Sequence, residues 1–335
     1  VPIAPPSNNW LVGIAKQTNE ATIATTAEYA FPLYAERPKP VHDVDRVQVT
    51  DGASIQGDAY YQAGEYWTAS GVITPGFADL AGRLLSGLWP TDTATGTAPT
   101  RSHAFSALGS APAFWTMWSL PGGSLVLPES FGKGLCAGLH FVVDENGGPL
   151  QISIAAVGQV PAVVAAPTVT VTDALTAGYF RCVGATLKYE EDSGTPVTQT
   201  NIQSFDLGVE RPVTPVKTAD GVNVAYLAQG LVVPSLQMQL VWQDWQSYRA
   251  TYYGAVGGSA ASATMVAGSV ELNFVHTVEV STLKFVIPKV ALVTEPPVPN
   301  PDASPLLVTI NAEILKPAAG DHVQPTLVNN VTPAY

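Results

Sequence analysis

The residues able to do chemistry are few, and their spacing is poor. The chain holds five histidines, His42, His103, His140, His276 and His322, and two cysteines, Cys136 and Cys182. None falls in a His-x-x-x-His or Cys-x-x-Cys spacing that would bring two zinc ligands together. His42-Asp43-Val44-Asp45 sets one imidazole and two carboxylates in a short extended stretch; weak metal binding is open to it, and a solvated acidic loop is the simpler reading. His140 and His276 each lie in an alternating apolar run, as strand-face residues do. Glu190-Glu191-Asp192 opens an Asp-Ser-Gly turn and reads as a hairpin tip, not as two carboxylates flanking a substrate. The sequence has no Gly-x-Ser-x-Gly elbow and no phosphate loop ending in Gly-Lys-Ser/Thr, and the Gly132-Lys133-Gly134 run has the wrong spacing for a dinucleotide loop. Asn330-Val331-Thr332 fits a glycosylation acceptor, with Pro333 directly after it. Trp115, Trp118, Trp242 and Trp245 are suited to stacking on sugars or bases, or to a core or subunit contact. No catalytic residue, metal ligand or cofactor-binding residue is therefore assigned, and the chain is not expected to be an enzyme.

The elements that would position these residues are mostly strands. The 29 glycines and 28 prolines punctuate short runs rich in Val, Thr, Ile, Tyr and Phe. Leu236, Met238, Leu240 and Trp242 alternate with Gln237, Gln239, Val241 and Gln243, which is the period of a half-buried strand. One amphipathic helix is predicted from Thr74-Pro75, carried by Phe77, Leu80, Ala81, Leu84, Leu85 and Leu88 and closed by Pro90. A weaker helix starts at Asp244 and runs through Tyr252. Residues 91–100 and 254–268 are of low complexity and read as surface loops. The proline-containing ends, Val1–Pro6 and Pro325–Tyr335, read as extended arms that order against a neighbour.

Composition narrows the function classes. With 335 residues and 46% hydrophobic content, the chain is long enough for two domains and too apolar for bulk disorder. A net charge of −12 argues against the Lys/Arg grip by which proteins hold nucleic acid. The longest uncharged stretch, 146–172, is broken by Pro149, Pro161 and Pro167, so no membrane span is expected. Val1-Pro2-Ile3 lacks a basic region leading into an apolar one, and no export signal is expected. Two cysteines cannot staple a chain of this length and read as reduced thiols.

The two halves resemble each other. Pro112–Trp118 matches Pro234–Leu240, Leu139–Val143 matches Leu283–Ile287, and Pro149–Ala155 matches Pro305–Asn311, in the same order. This predicts tandem copies of one β domain, the first over residues 1–165 with an N-terminal arm and the second over 166–335 with a C-terminal arm. The surroundings of Cys136 and Cys182 also match, at an offset that conflicts with the half-chain repeat.

The run from Ser70 to Leu88, then His103-Ala104-Phe105, Pro112 to Met117, Gly134 to Leu139 and Gly148 to Ile154, resembles major tail tube proteins of long-tailed bacteriophages. The likeness is to the duplicated kind, with two tube domains in one chain, and it covers most of residues 29–317. It implies a mainly β fold of two tandem sandwich or barrel domains with little flanking helix. It also implies a structural virion protein, located in the phage tail and assembled in the host cytoplasm. Three chains would form a pseudo-hexameric ring, and rings would stack into a tube around the tape-measure protein. DNA would pass through the lumen without specific binding, past a wall carrying part of the acidic excess. The rival reading is a receptor- or carbohydrate-binding β-sandwich that uses exposed Trp and Tyr, or another virion shell component.

Overall fold

A computed structural model describes residues 10–32, 36–49, 57–107, 112–121, 128–144, 148–163, 178–188, 197–199, 201–218, 224–241, 249, 252–253, 259–260, 267–294, 306–331 and 335; for 44–49, 57–63, 160, 163, 188, 197 and 199 it describes the backbone alone. The first half contains β1 (Trp10–Lys16), β2 (Tyr29–Pro32), β3 (Lys39–Val49), β4 (Gly57–Pro75), α1 (Ala78–Leu88), β5 (Thr91–Thr95), β6 (Arg101–Ser106), β7 (Phe114–Pro121), β8 (Glu129–Val143) and β9 (Gln151–Val163). The second contains β10 (Phe180–Lys188), β11 (Val197–Gln199), β12 (Ile202–Glu210), β13 (Val213–Lys217), β14 (Val224–Gln229), β15 (Val233–Val241), β16 (Ala267–His276), β17 (Thr282–Thr294), β18 (Leu307–Ile314) and β19 (Gln324–Asn329). The protein is mainly β, as its alternating sequence predicts. In β16, for example, Val270, Leu272 and Phe274 are buried while Glu271 and Asn273 between them are partly exposed.

The ladder order repeats. In the first half it runs β2-β1-β7-β8-β9-β4-β3, every pair antiparallel. In the second it runs β11-β10-β16-β17-β18-β15-β12, again antiparallel throughout. With α1-β5-β6 and β13-β14 set aside as insertions and β19 as a C-terminal addition, and strands ranked within each half, both ladders read 2-1-5-6-7-4-3. Two of the three sequence matches fall on equivalent strands, β8 with β17 and β9 with β18. The third aligns β7 with β15, whereas the ladders make β15 the counterpart of β4. Amphipathic alternation is shared by any strand with one buried face, so it reports burial more faithfully than position. The Cys136 and Cys182 likeness has a different origin. Each cysteine begins a Cys-x-Gly step at which the ladder shifts register, at Cys136/Gly138 and at Cys182/Gly184. Both are β-bulges, built from the same residues for the same local bend.

The halves share sheet and core. β12 pairs with β8 from Phe205↔Val143 to Glu210↔Gly138, and β19 bridges β17 to β6. Phe141 and Phe285, which the repeat makes equivalent, pack with ring centroids 4.6 Å apart inside one buried cluster. The boundary expected between residues 165 and 166 falls within 164–177, outside the described residues.

A row of paired residues crosses the first-half sheet: Trp67 opposes Gly158, which opposes Gly134, which opposes Trp115. The Trp67 indole lies over both glycines, where a Cβ on Gly158 would come within 2.2 Å of it and one on Gly134 within 2.4 Å. Its Nε1–H donates to the Gly132 carbonyl at 2.7 Å. The glycine-rich run around Lys133 is thus a seat for an aromatic ring and not a nucleotide loop.

Several expectations are corrected. The helix begins at Ala78 and not at Thr74, because Gly76 is held in extended pairing, its N–H donating to Leu150 O at 2.7 Å and its carbonyl accepting from Phe180 N–H at 2.9 Å. Residues 91–95, expected as a surface loop, form β5 against β6. The stretch expected as a C-terminal arm packs within its own chain as β19, because Pro325, Leu327 and Asn329 alternate into the core. Tyr335 is also buried, its ring filling the space above Gly82 of α1. Val1–Pro6 and the acidic turn at 190–192 lie outside the described residues, as do nearly all of the second helix and of the 254–268 stretch.

Candidate functional site

The titratable residues do not converge. Along β3, successive side chains point to opposite sides, so His42 and Asp43 part company. His42 Nδ1 stands 3.9 Å from Glu65 Oε1 in an open cleft walled by Pro40, Phe131 and Pro161, while Asp43 pairs with Lys217 at 2.5 Å. The side chain of Asp45 is not among those described. His322 lines a small apolar cavity beside Trp89 and Val209. His140 projects from β8 between two carboxylates of β12, with Nδ1 3.4 Å from Asp206 and Nε2 3.3 Å from Glu210. The carboxylates approach opposite ring nitrogens, so they do not share one ligand position. Among the described residues, no group of three His, Cys, Asp or Glu side chains has the geometry of a metal site.

His103 and Asp92 are fully buried partners, a pairing that sequence spacing did not signal. His103 Nδ1 lies 2.8 Å from Asp92 Oδ2, and the same oxygen accepts from Tyr335 N–H at 2.9 Å. Asn329 Nδ2 donates to the Tyr335 hydroxyl at 2.6 Å. The cluster fixes Tyr335 against β5, β6 and α1. Burial drives the Cys136 thiol up to about 12 and raises that of Cys182 as well, which leaves both as poor nucleophiles. Trp67, Trp89, Trp115 and Trp118 are buried. Trp242 and Trp245 lie outside the described residues.

What the fold does present is a broad polar sheet face. The strands β4, β9, β8, β12, β15 and β18 are contiguous and run from one half into the other. Their inner face is apolar, as in Phe205, Leu207 and Val209 on β12 and Leu236, Met238 and Leu240 on β15. A lateral row on the outer face reads Gln151, Val142, Asp206, Gln237, Asn311, crossing five strands in register. Gln237 donates to Asn311 at 3.0 Å, and Ser204 donates to Gln239 at 3.2 Å. Across β9, β12, β15 and β18 the charged residues are Asp206, Glu210 and Glu313, with no Lys or Arg. Over these four strands the face is polar, amide-rich and anionic, while β8 carries Lys133 and the Lys217 side chain lies over Gly64 of β4.

The same sheet ends on an open edge. β12 is paired on both sides, to β15 and to β8. Its counterpart β3 pairs with β4, and among the described residues no ladder covers its other side. An unpaired edge of 11 residues is a template for another strand. Among the described residues no helix is long and apolar enough to cross a membrane. No protein-family model matches the chain, and no curated protein matches it.

Proposed function

We propose that this chain is a structural subunit that joins copies of itself edge to edge, as the resemblance to duplicated phage tail tube proteins implies. One observation carries the reading. The second half docks on the first by adding β12 to β8, and among the described residues the equivalent strand of the first half, β3, has no second partner. An open strand edge can take a strand of another copy, and a heterologous contact of this kind closes into a ring or runs on as a filament; the β17 stretch that matches the β8 acceptor is itself paired with β16 and β19, so the joining strand would come from elsewhere in the neighbour. Three chains with two copies each would make a pseudo-hexameric ring, and stacked rings would make the tail tube around its tape-measure protein. The anionic, amide-rich stretch over β9, β12, β15 and β18 supports a wall past which DNA slides, since phosphate binding needs the Lys and Arg that those four strands lack. The location proposed is the virion tail. For the sugar-binding alternative, which would use exposed Trp and Tyr, Trp115 and Trp118 are buried while Tyr226 and Tyr252 are exposed.

Negative-stain electron microscopy and sedimentation velocity over a concentration series test the proposal. Hollow tubes of stacked rings, growing with concentration, are expected. Discrete particles at every concentration would overturn it.

A further inference from the structure

His276 closes β16 in an unusual setting. The residue is 5% exposed, and its Nδ1 accepts two backbone N–H groups of the following turn, Glu279 at 3.0 Å and Val278 at 3.4 Å. Two donors aimed at one nitrogen require that nitrogen to be unprotonated, so the ring is the neutral Nε2–H tautomer. The turn itself is thin. Val278 and Val280 are 67% and 74% exposed, and its backbone is held by His276 N–H to Ser281 O at 2.9 Å and Thr277 N–H to Tyr179 O at 3.0 Å. The imidazole is therefore the peg around which residues 277–280 are wound.

The groups around the ring favour its charged form. Asp79 approaches from the first turn of α1, in the other half of the chain, and one of its carboxylate oxygens is buried without a hydrogen bond. Glu279 stands in the turn, and Ser281 donates to it at 3.4 Å. From the β10 side come the Gly178 carbonyl and the Phe180 ring, edge to face at 5.4 Å. His276 Nε2 is buried with no hydrogen bond of its own. Burial is the larger influence and holds the imidazole below its ordinary pKa, against the pull of Glu279, the Gly178 carbonyl and Asp79.

We propose that His276 is an acid-sensitive latch, which holds the β16–β17 turn against α1 and β10 while neutral and releases it on protonation. A proton on Nδ1 would face two N–H donors, so the charged ring cannot remain in its seat. Swung out, it becomes a cation beside the Asp79 and Glu279 carboxylates, which gives the released state a partner. The latch is a property of the single chain and does not depend on the assembly proposed above.

Hydrogen exchange on the full chain tests this, reading the amides of residues 276–282 and 178–180 at pH 7.5 and 5.0 after correction for the intrinsic rate. An imidazole of ordinary pKa ~6.5 in the open state, wholly excluded from protonation in the closed one, raises opening by up to about 30-fold at pH 5.0. A loss of protection of tenfold or more is expected at these amides. His276→Asn retains an acceptor where Nδ1 sits and cannot titrate, so its protection should not change between the two pH values. Unchanged protection in the wild-type chain, or the same acid loss in H276N, would overturn the latch. Imidazole nitrogen shifts at pH 8 give a readout that needs no variant: the Nε2–H tautomer is expected at His276, and a protonated Nδ1 would refute the proposal.

Discussion

Replacing Gly158 with alanine would drive a methyl group into the Trp67 indole. The added Cβ would lie 2.2 Å from both Nε1 and Cε2, where ordinary contact begins near 3.4 Å, so the ring must retreat by more than an ångström. It has nowhere easy to go. Trp67 is fully buried, packs against Phe131 edge to face at 5.6 Å, and is tied to the Gly132 carbonyl through Nε1. Overpacking of this kind costs about 1–3 kcal/mol. Pulling Nε1–H off its acceptor strands a buried donor, for about another 1–3 kcal/mol. Alanine recovers up to about 1 kcal/mol over glycine in backbone freedom. The net expectation is a loss of about 1–6 kcal/mol, read from urea unfolding followed by tryptophan fluorescence and circular dichroism. A double-mutant cycle isolates the clash: in a Trp67→Leu background, Gly158→Ala should be close to neutral or stabilising, so the two changes are far from additive. A G158A chain within about 0.5 kcal/mol of wild type, or strict additivity with W67L, would refute the seat as the reason for the glycine.

Asp92→Ala should destabilise the chain in the same assay by about 1–3 kcal/mol for each buried group it leaves unpaired, His103 Nδ1 and Tyr335 N–H. Cys136 should resist a thiol reagent at pH 8 in the folded chain and react at once in denaturant; rapid labelling of folded protein would contradict its burial. Two groups shape stability with pH in opposite senses. The lowered His276 contributes stability that is present above ~6.5 and lost as pH falls through its folded value, while Asp79, raised by burial, contributes stability that is present below ~3.9 and lost as pH rises through its own. Between pH 8 and 6 the urea midpoint of the wild-type chain should therefore fall, while that of His276→Asn stays level. Charge reversal of the sheet face by Asp206→Lys, Glu210→Lys and Glu313→Lys together should give the chain salt-sensitive retention on immobilised duplex DNA at 50 mM salt, and the wild-type chain should flow through.

How much of this was written legibly in the sequence depends on the range of the interaction. Alternation is local, so the mainly β class and the single helix could be read directly; Leu80, Ala81, Leu84, Leu85 and Leu88 all face the core. The start of the helix could not, because Gly76 is pinned by Leu150 and Phe180, which are close only once three distant strands have met. The repeat was partly visible through the same limit. Leu139–Val143 and Leu283–Ile287 each carry a phenylalanine that touches its counterpart, so the match rests on shared packing and survives. Pro112–Trp118 and Pro234–Leu240 share only a buried face, which any strand of either ladder could have. The buried pair His103 and Asp92 gave no signal, since one hydrogen bond across the β5–β6 ladder leaves no pattern that a reader of spacing would notice. The same applies to the edge of β3. That β12 is covered on both sides and β3, among the described residues, on one is a statement about partners, and a strand reads alike whether its second edge is filled or open.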